Sequence, residues 1–507
     1  MKTRVLQICG TGSGVGKSVI VTALCRIFLQ DGYKVCPFKA QNMSLNSFVT
    51  SGGAEMGRAQ VTQALSCRIL PHADMNPVLL KPMTDIGSQV IVQGRPVGNK
   101  TARQYQQKNY KQQLFLKVKE SFGRLKKEYN MLVIEGAGSP AEINLKRHDI
   151  VNLKMAAYAK APVILLGDID KGGVFASLVG TLQLLDKGER RLIKGFIINK
   201  FRGDKSLLKS GIRFLERKTK KPVLGVIPYF KDITMPEEDS VALDGLAKKA
   251  QYYQRVKGAI KITIIQLPHI SNFTDFDAFK REPDISLDYI DDASRFDNPD
   301  LIIIPGTKNT IEDLIWLKDS GLADKIISAL KRKEPAFVAG ICGGYQILGK
   351  KIYDTYAVES KKKQINGLGI LPTVTFLEKD KVLTQVRARE VSSGLEVFGY
   401  EIHHGRSRNL GGYQPAFQIT ERAGKRVKDF DGVLADRKNI LGTYIHGLFD
   451  ADNFRRDFLN RIRVKKGWLA LNNAVSTNLN TEFERLADLV RKNIDMKLLY
   501  KILKAGI

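Results

Sequence analysis

Cys342 stands in the segment Gly340-Ile341-Cys342-Gly343-Gly344-Tyr345-Gln346, behind the apolar run 336–339 and ahead of helix-forming residues. Small residues on both sides of a cysteine at a strand-to-helix turn permit the strained elbow that exposes sulfur, and a helix N-terminus favours the thiolate. This is the pattern of a nucleophile. A thiolate needs a base, and His446, in Gly442-Thr443-Tyr444-Ile445-His446-Gly447, is placed at another strand end downstream. Backbone N–H groups for an oxyanion are expected from Gly306, in Pro305-Gly306-Thr307, and from Gly343. His403 and His404 read as structural or partner-facing, because no other residues complete a metal set with them.

A second chemistry is written at the other end of the chain. The run 5–8 leads directly into Gly10-Thr11-Gly12-Ser13-Gly14-Val15-Gly16-Lys17-Ser18, and a helix-forming segment follows. Glycines let backbone N–H groups wrap phosphates, the helix N-terminus adds a favourable dipole, Lys17 neutralises charge and the Ser18 hydroxyl reaches magnesium. Gly12 to Ser18 are therefore the expected ATP contacts. The usual pattern has a glycine where Thr11 stands, with Gly10 one place earlier here. That longer loop is shared with P-loop enzymes resembling dethiobiotin synthetase. Glu135, at the end of the run 131–134, and Asp168, at the end of 162–166, are placed to join Ser18 at the metal. Gly136, Ala137 and Gly138 leave room for a substrate, and Asn199 is a candidate reader of the nucleotide base.

These residues need elements to hold them. Apolar, β-branched runs at 5–8, 35–38, 131–134, 162–166, 195–198 and 223–227 alternate with helix-length segments, which predicts a doubly wound parallel α/β sheet. The pattern breaks between 231 and 258, in an acidic patch at 236–239 and a polar stretch at 248–255, and resumes with strands at 262–267, 301–304 and 336–339. The expected division is a nucleotide-binding domain at 1–230, a linker at 231–258, and a second α/β domain at 259–507. The last stretch, 453–503, has helical periodicity, with Phe483, Leu486, Leu489 and Val490 on one face.

Composition limits the rest. A chain of 507 residues exceeds what one core usually organises, and 43% apolar residues suit a packed globular protein. No uninterrupted apolar run is long enough to span a bilayer, and the first residues read as a strand, so a cytoplasmic protein is expected. Five cysteines with no C-x-x-C pair indicate neither a disulfide framework nor a zinc ribbon, and four of them sit in apolar stretches as core residues. The formal net charge of +29 is scattered in short clusters, at 217–221, 331–333 and 361–363, without interleaved aromatics. It reads as a solvated surface, with neither nucleic acid nor membrane expected as a partner. A homo-oligomer is compatible with the sequence.

Seven blocks together resemble the cobyric acid synthase family over nearly the whole length. They are Phe38-Lys39-Ala40-Gln41-Asn42-Met43-Ser44, Gly57-Arg58-Ala59-Gln60, Asn76-Pro77-Val78-Leu79-Leu80-Lys81-Pro82, Glu135-Gly136-Ala137-Gly138-Ser139-Pro140-Ala141-Glu142, Gly167-Asp168-Ile169-Asp170-Lys171-Gly172-Gly173-Val174-Phe175, Asn199-Lys200-Phe201-Arg202-Gly203-Asp204 and the Cys342 elbow. The resemblance implies a dethiobiotin-synthetase-like ATP domain followed by a flavodoxin-like class I glutamine amidotransferase domain. It implies amidation of corrinoid side-chain carboxylates with glutamine and ATP, magnesium as the ion, and no prosthetic group. Lys39, Gln41, Asn42, Arg58, Gln60 and Lys81 are then expected at the substrate, with Lys39 near its carboxylate. Two departures stand out. Related glutaminases carry an acid two residues after the histidine, where this chain has Leu448, and Glu401 is the nearest replacement. The cousins that amidate the a and c side chains carry acids where this chain has Gln41, Asn42 and Asn46. A partitioning-type P-loop ATPase is the competing reading of the first half, and it leaves the glutaminase-like half without a use.

Overall fold

The structure, a computed structural model, describes residues 3–84, 87–233, 235–236, 258–435, 439–472, 475 and 478–507. The linker expected at 231–258 lies outside the described residues, apart from its two ends.

All nine expected strands form, and they assemble into two parallel sheets. Across the first sheet the order is Val223–Pro228, Ile193–Phe201, Val163–Asp168, Arg4–Gly10, Met131–Glu135 and Val35–Phe38. Helices pack on both faces, which explains the near-continuous apolar runs: Met131–Glu135 is buried at every position. Arg4–Gly10 lies between the strands that end in Glu135 and in Asp168. The winding reverses there, and the crevice beyond the strand carboxyl ends at such a reversal is where ligands of these sheets bind.

The second sheet runs Ile285–Ile290, Ile260–Ile265, Leu301–Ile304, Phe337–Ile341 and Ile440–Thr443, with Val433–Ala435 added antiparallel at the edge. Its parallel strands follow the flavodoxin-like order that the sequence leads one to expect.

Two mixed, mainly antiparallel sheets are the larger additions to that expectation. One joins Gln41–Met43, Val78–Thr84, Gly87–Val92 and Arg95–Thr101 within the first half. The other is headed by a long hairpin, Thr373–Glu390 with Glu396–Asn409. Along much of Thr373–Glu390 burial alternates with exposure, as in a strand with only one covered face. This hairpin ties the two halves together: Lys381 reaches Glu55 at 2.7 Å, Gln385 Nε2 donates to the Val49 carbonyl at 3.0 Å, and the Tyr400 hydroxyl donates to the Ser47 carbonyl at 3.1 Å.

The C-terminal helices correct the expected division. Asp452–Lys465 packs on the second domain through Phe454, Phe458 and Ile462, and Arg455 and Arg456 both pair with Glu282. Leu479–Asn493 and Met496–Ala505 return instead to the first domain. There Leu486, Val490 and Leu499 share a core with Leu6, Ile20 and Ile27, and Arg26 donates to Glu484 and Asn480. Gly225 permits this return, because a Cβ there would lie 2.1 Å from the Asn493 carbonyl oxygen. The apolar face read from the sequence is correct; periodicity says that a helix has a buried face but not which core receives it.

All five cysteines are buried and free. Among the described residues no helix is long and apolar enough to cross a membrane.

Candidate active site

The phosphate loop leaves Arg4–Gly10 and closes on the helix Lys17–Gln30. Gly14 and Gly16 adopt φ of 69° and 98°, and a Cβ at Gly16 would lie 2.3 Å from Asn199 Nδ2. Only glycine fits there. Gly12, Ser13 and Gly14 form the open side of the loop, whereas the Val15 side chain is buried and leaves only its backbone for a ligand. Lys17 Nζ donates to the Gly12 carbonyl at 2.7 Å and the Gly138 carbonyl at 3.2 Å, which brings Gly136, Ala137 and Gly138 beside the loop. Asn152, not singled out from the sequence, clamps that turn through Ala137 N and the Ala137 carbonyl.

Glu135 is fully buried and gathers two expected residues and one unexpected one. Its Oε1 accepts from the Ser18 hydroxyl at 2.9 Å and from Lys39 Nζ at 2.8 Å, and Gln63 donates to Oε2. A hydroxyl and a carboxylate side by side fit a magnesium ion that takes its other ligands from phosphate and water. Asp168 is turned elsewhere: its carboxylate pairs with Lys200 at 2.7 Å, and Lys200 also donates to the Gly14 carbonyl at 2.6 Å. Asn199 donates to the Val15 carbonyl at 2.9 Å, so its amide NH2 braces the loop.

The remaining expected substrate contacts are partly engaged with one another. Asn42 Nδ2 donates to Gln60 Oε1 at 3.1 Å, both side chains buried, in a polar knot under Gly57. Gln41 Oε1 accepts from the Tyr105 hydroxyl and Lys111, and Arg58 lies over the Phe48 ring. Lys81 is bonded to Ser47 and Glu55, and it lines the cavity at Cys342. Sequence blocks could not separate ligand contacts from residues that hold the surrounding backbone.

At the second site Cys342 has φ 52° and ψ −106°, the strained elbow expected from its neighbours. Its N–H donates to the Thr443 carbonyl at 2.8 Å. Gly343 and Gly344 are required by crowding: Cβ atoms there would lie 2.6 Å from Thr307 Cγ2 and 1.9 Å from the Ile304 carbonyl oxygen. Gly306 lies against the base, where a Cβ would sit 2.9 Å from His446 Cε1.

His446 is fully buried, and its Nδ1 is 2.6 Å from Asp275 Oδ2. The third member is thus Asp275 and not Glu401, whose carboxylate is held by Arg422 at 2.9 and 3.2 Å. Asp275 lies on the 3-10 segment Phe273–Arg281, far upstream of the histidine, and only the fold brings it there. It also accepts from Gly447 N, which fixes the loop after His446. Burial alone would push the imidazole down in pKa, but the Asp275 carboxylate and then negative charge at the Cys342 sulfur outweigh it and hold His446 up at about 10. Among the described residues His446 Nε2 is buried with no hydrogen-bond partner, so it is available to a reacting group. A thiol, an imidazole and an orienting acid in this order can form and hydrolyse a thioester.

The Tyr400 ring stacks on His446 at 5.3 Å between centroids, and their backbones exchange two hydrogen bonds. Through its hydroxyl on the Ser47 carbonyl, Tyr400 links this base to the first domain.

Two family profiles match the two halves of the chain. A CobQ/CobB/MinD/ParA nucleotide binding domain matches residues 6–242, and a CobB/CobQ-like glutamine amidotransferase domain matches residues 261–454. Cobyric acid synthase of Clostridium botulinum (strain Langeland / NCTC 10281 / Type F) is 48% identical over 501 residues, covering 98% of this chain and 99% of that one. Cobyric acid synthase of Syntrophobacter fumaroxidans is 47% identical over 513 residues, covering 99% of each. The adenosylcobalamin biosynthesis bifunctional protein CobDQ of Leptospira interrogans is 47% identical over 511 residues, which are all of this chain and 57% of that protein. With a nucleotide-binding half, a glutaminase half and this identity from end to end, the chain belongs to the cobyric acid synthase family of glutamine-dependent amide-forming ligases.

Proposed function

We propose that this enzyme amidates the b, d, e and g side-chain carboxylates of adenosylcobyrinic acid a,c-diamide, using ATP at the first site and ammonia freed from glutamine at the second. The observation that carries the reading is the buried Cys342, His446 and Asp275 set, joined through Tyr400 and Ser47 to the domain that holds Glu135, Lys39 and the phosphate loop.

At the second site the Cys342 thiolate attacks the glutamine side-chain carbonyl carbon. Backbone N–H groups at Gly306 and Gly343 take the developing oxyanion. The His446 imidazolium, held protonated by Asp275, gives its Nε2 proton to the departing ammonia. Neutral His446 then takes a proton from water, which attacks the thioester and releases glutamate.

At the first site a carboxylate is too poor an electrophile for ammonia. Transfer of the γ-phosphoryl group converts it to an acyl phosphate, ammonia attacks the acyl carbon, and phosphate leaves. Lys17 and the N–H groups of residues 12–18 hold the phosphates, Lys39 offsets charge beside Glu135, and Ser18 with Glu135 would hold magnesium, which when bound neutralises charge on the phosphates. Gln41 and Asn42 in place of acids favour this substrate over the a and c side chains.

The test is mass analysis of the corrinoid after incubation with glutamine, ATP and magnesium. Successive gains of amide groups on the a,c-diamide are expected. No amidated corrinoid under those conditions would discard the substrate assignment.

A further inference from the structure

Lys308 follows the strand Leu301–Ile304 and precedes the helix Thr310–Asp319. Its backbone is fixed, since its N–H donates to the His269 carbonyl at 3.0 Å and the flanking Asn309 caps the helix. The side chain is 6% exposed and lines the same cavity as Cys342, together with Glu359 and Thr310. Among the described residues its ammonium makes no hydrogen bond or ion pair, and the carboxylate whose charge acts on it most is that of Glu359.

The other two lysines of that wall share one carboxylate. Glu55 accepts from Lys81 at 2.9 Å and from Lys381 at 2.7 Å. Glu359 is held by one oxygen, which accepts from Thr310 N at 2.7 Å. Burial pushes its carboxyl up to about 7, with Lys308 pulling against that rise, and burial lowers Lys308 in turn. A desolvated cation without a close partner is costly, and it persists where a ligand supplies the partner.

We propose that Lys308 and Glu359 form the subsite for the α-carboxylate and α-ammonium groups of glutamine, so that the pair selects an amino-acid amide over a simple amide. The assignment rests on Cys342 being the glutaminase nucleophile. It follows from the pairing: Lys81 and Lys381 each bond Glu55, whereas Lys308 makes no ion pair among the described residues, which leaves it for a carboxylate of the ligand, and a zwitterion brings an ammonium for Glu359. A short methylene stem then separates these groups from the amide at the thiol. Lys308 and Glu359 are positioning residues, since neither touches the bond that breaks.

The experiment compares three amides: L-glutamine, glutaramate, which keeps the carboxylate and lacks the amine, and 4-aminobutanamide, which keeps the amine and lacks the carboxylate. Each is measured as a substrate, or as a competitor of glutamine hydrolysis where turnover is slow. Lys308→Met should lower kcat/KM for glutamine and glutaramate by about 30-fold or more, chiefly through KM, and leave 4-aminobutanamide unchanged. Lys308→Arg should restore part of the loss. Glu359→Gln should do the converse, affecting glutamine and 4-aminobutanamide and sparing glutaramate. Ammonium-driven amidation reports whether each variant is folded. Equal losses on all three amides in folded variants would overturn the subsite. Failure of the unsubstituted enzyme to hydrolyse glutamine would instead overturn the glutaminase reading.

Discussion

The two strand-to-helix turns at the centres of this enzyme solve opposite problems. The phosphate loop offers backbone, so it places glycine wherever φ is positive, at Gly14 and Gly16, and packs Asn199 into the space a side chain would take. The Cys342 elbow must present a side chain, so a non-glycine residue carries φ 52° and the space is made by Gly343 and Gly344 instead. Strain of that kind costs about 1–3 kcal/mol and persists because the surrounding contacts over-determine it. Where the backbone is the ligand, glycine is the functional residue; where a side chain is, glycine is its neighbour.

Substitutions at the two turns give the largest effects. Cys342→Ala should abolish glutamine-driven amidation and leave amidation with an ammonium salt in place, measured on the same corrinoid. Loss of both would mean that the thiol is not confined to the glutaminase step. Gly16→Ala should remove both activities, because the added Cβ meets Asn199 and the φ of 98° is unfavourable for alanine. Retention of ammonium-driven turnover there would break the comparison.

Asp275→Asn tests the orienting acid, with an expected fall in glutaminase kcat of about 10²–10⁴-fold and little change in the ammonium-driven rate. A matching loss in Glu401→Gln, but not in Asp275→Asn, would restore the acid expected from the sequence.

A stability measurement sharpens the same comparison. Cys342→Gly should raise the thermal midpoint while removing glutaminase activity, by relieving about 1–3 kcal/mol of backbone strain. No rise would show that the elbow is not strained.

The smallest effect concerns pH. His446 is raised from 6.5 to about 10, so the stability it gains from Asp275 is complete below pH 6.5 and is lost as pH rises through about 10. The difference in thermal midpoint between the enzyme and its His446→Gln variant should therefore narrow from pH 6.5 towards pH 10, and a constant gap would exclude the raised pKa.

Much of both sites is legible in the chain. Gly16, Lys17, Ser18 and Glu135 are local, because a phosphate loop and an acid at a strand end need only a strand, a turn and a helix. Cys342 and its glycines are legible for the same reason. Lys308 and Tyr400 carry no local signature: one is a lysine after a turn, the other an aromatic residue in an alternating strand, and their roles come from what packs against them. The Asn42 and Gln60 pair shows the converse, since a distinctive block can exist to satisfy buried polar groups of its own.

By itself, then, the sequence determined the two parallel sheets, the phosphate loop and the Cys342 elbow, because each follows from short-range patterns of burial, glycine placement and turn chemistry. Tertiary structure alone decided which acid completes the base, where the last two helices pack, and how the hairpin joins the sites. Asp275 and His446 meet at 2.6 Å across 171 positions of chain, and Leu486 finds Leu6 across nearly the whole molecule. Contacts of that range are fixed by complementary surfaces of folded elements, which no local pattern encodes.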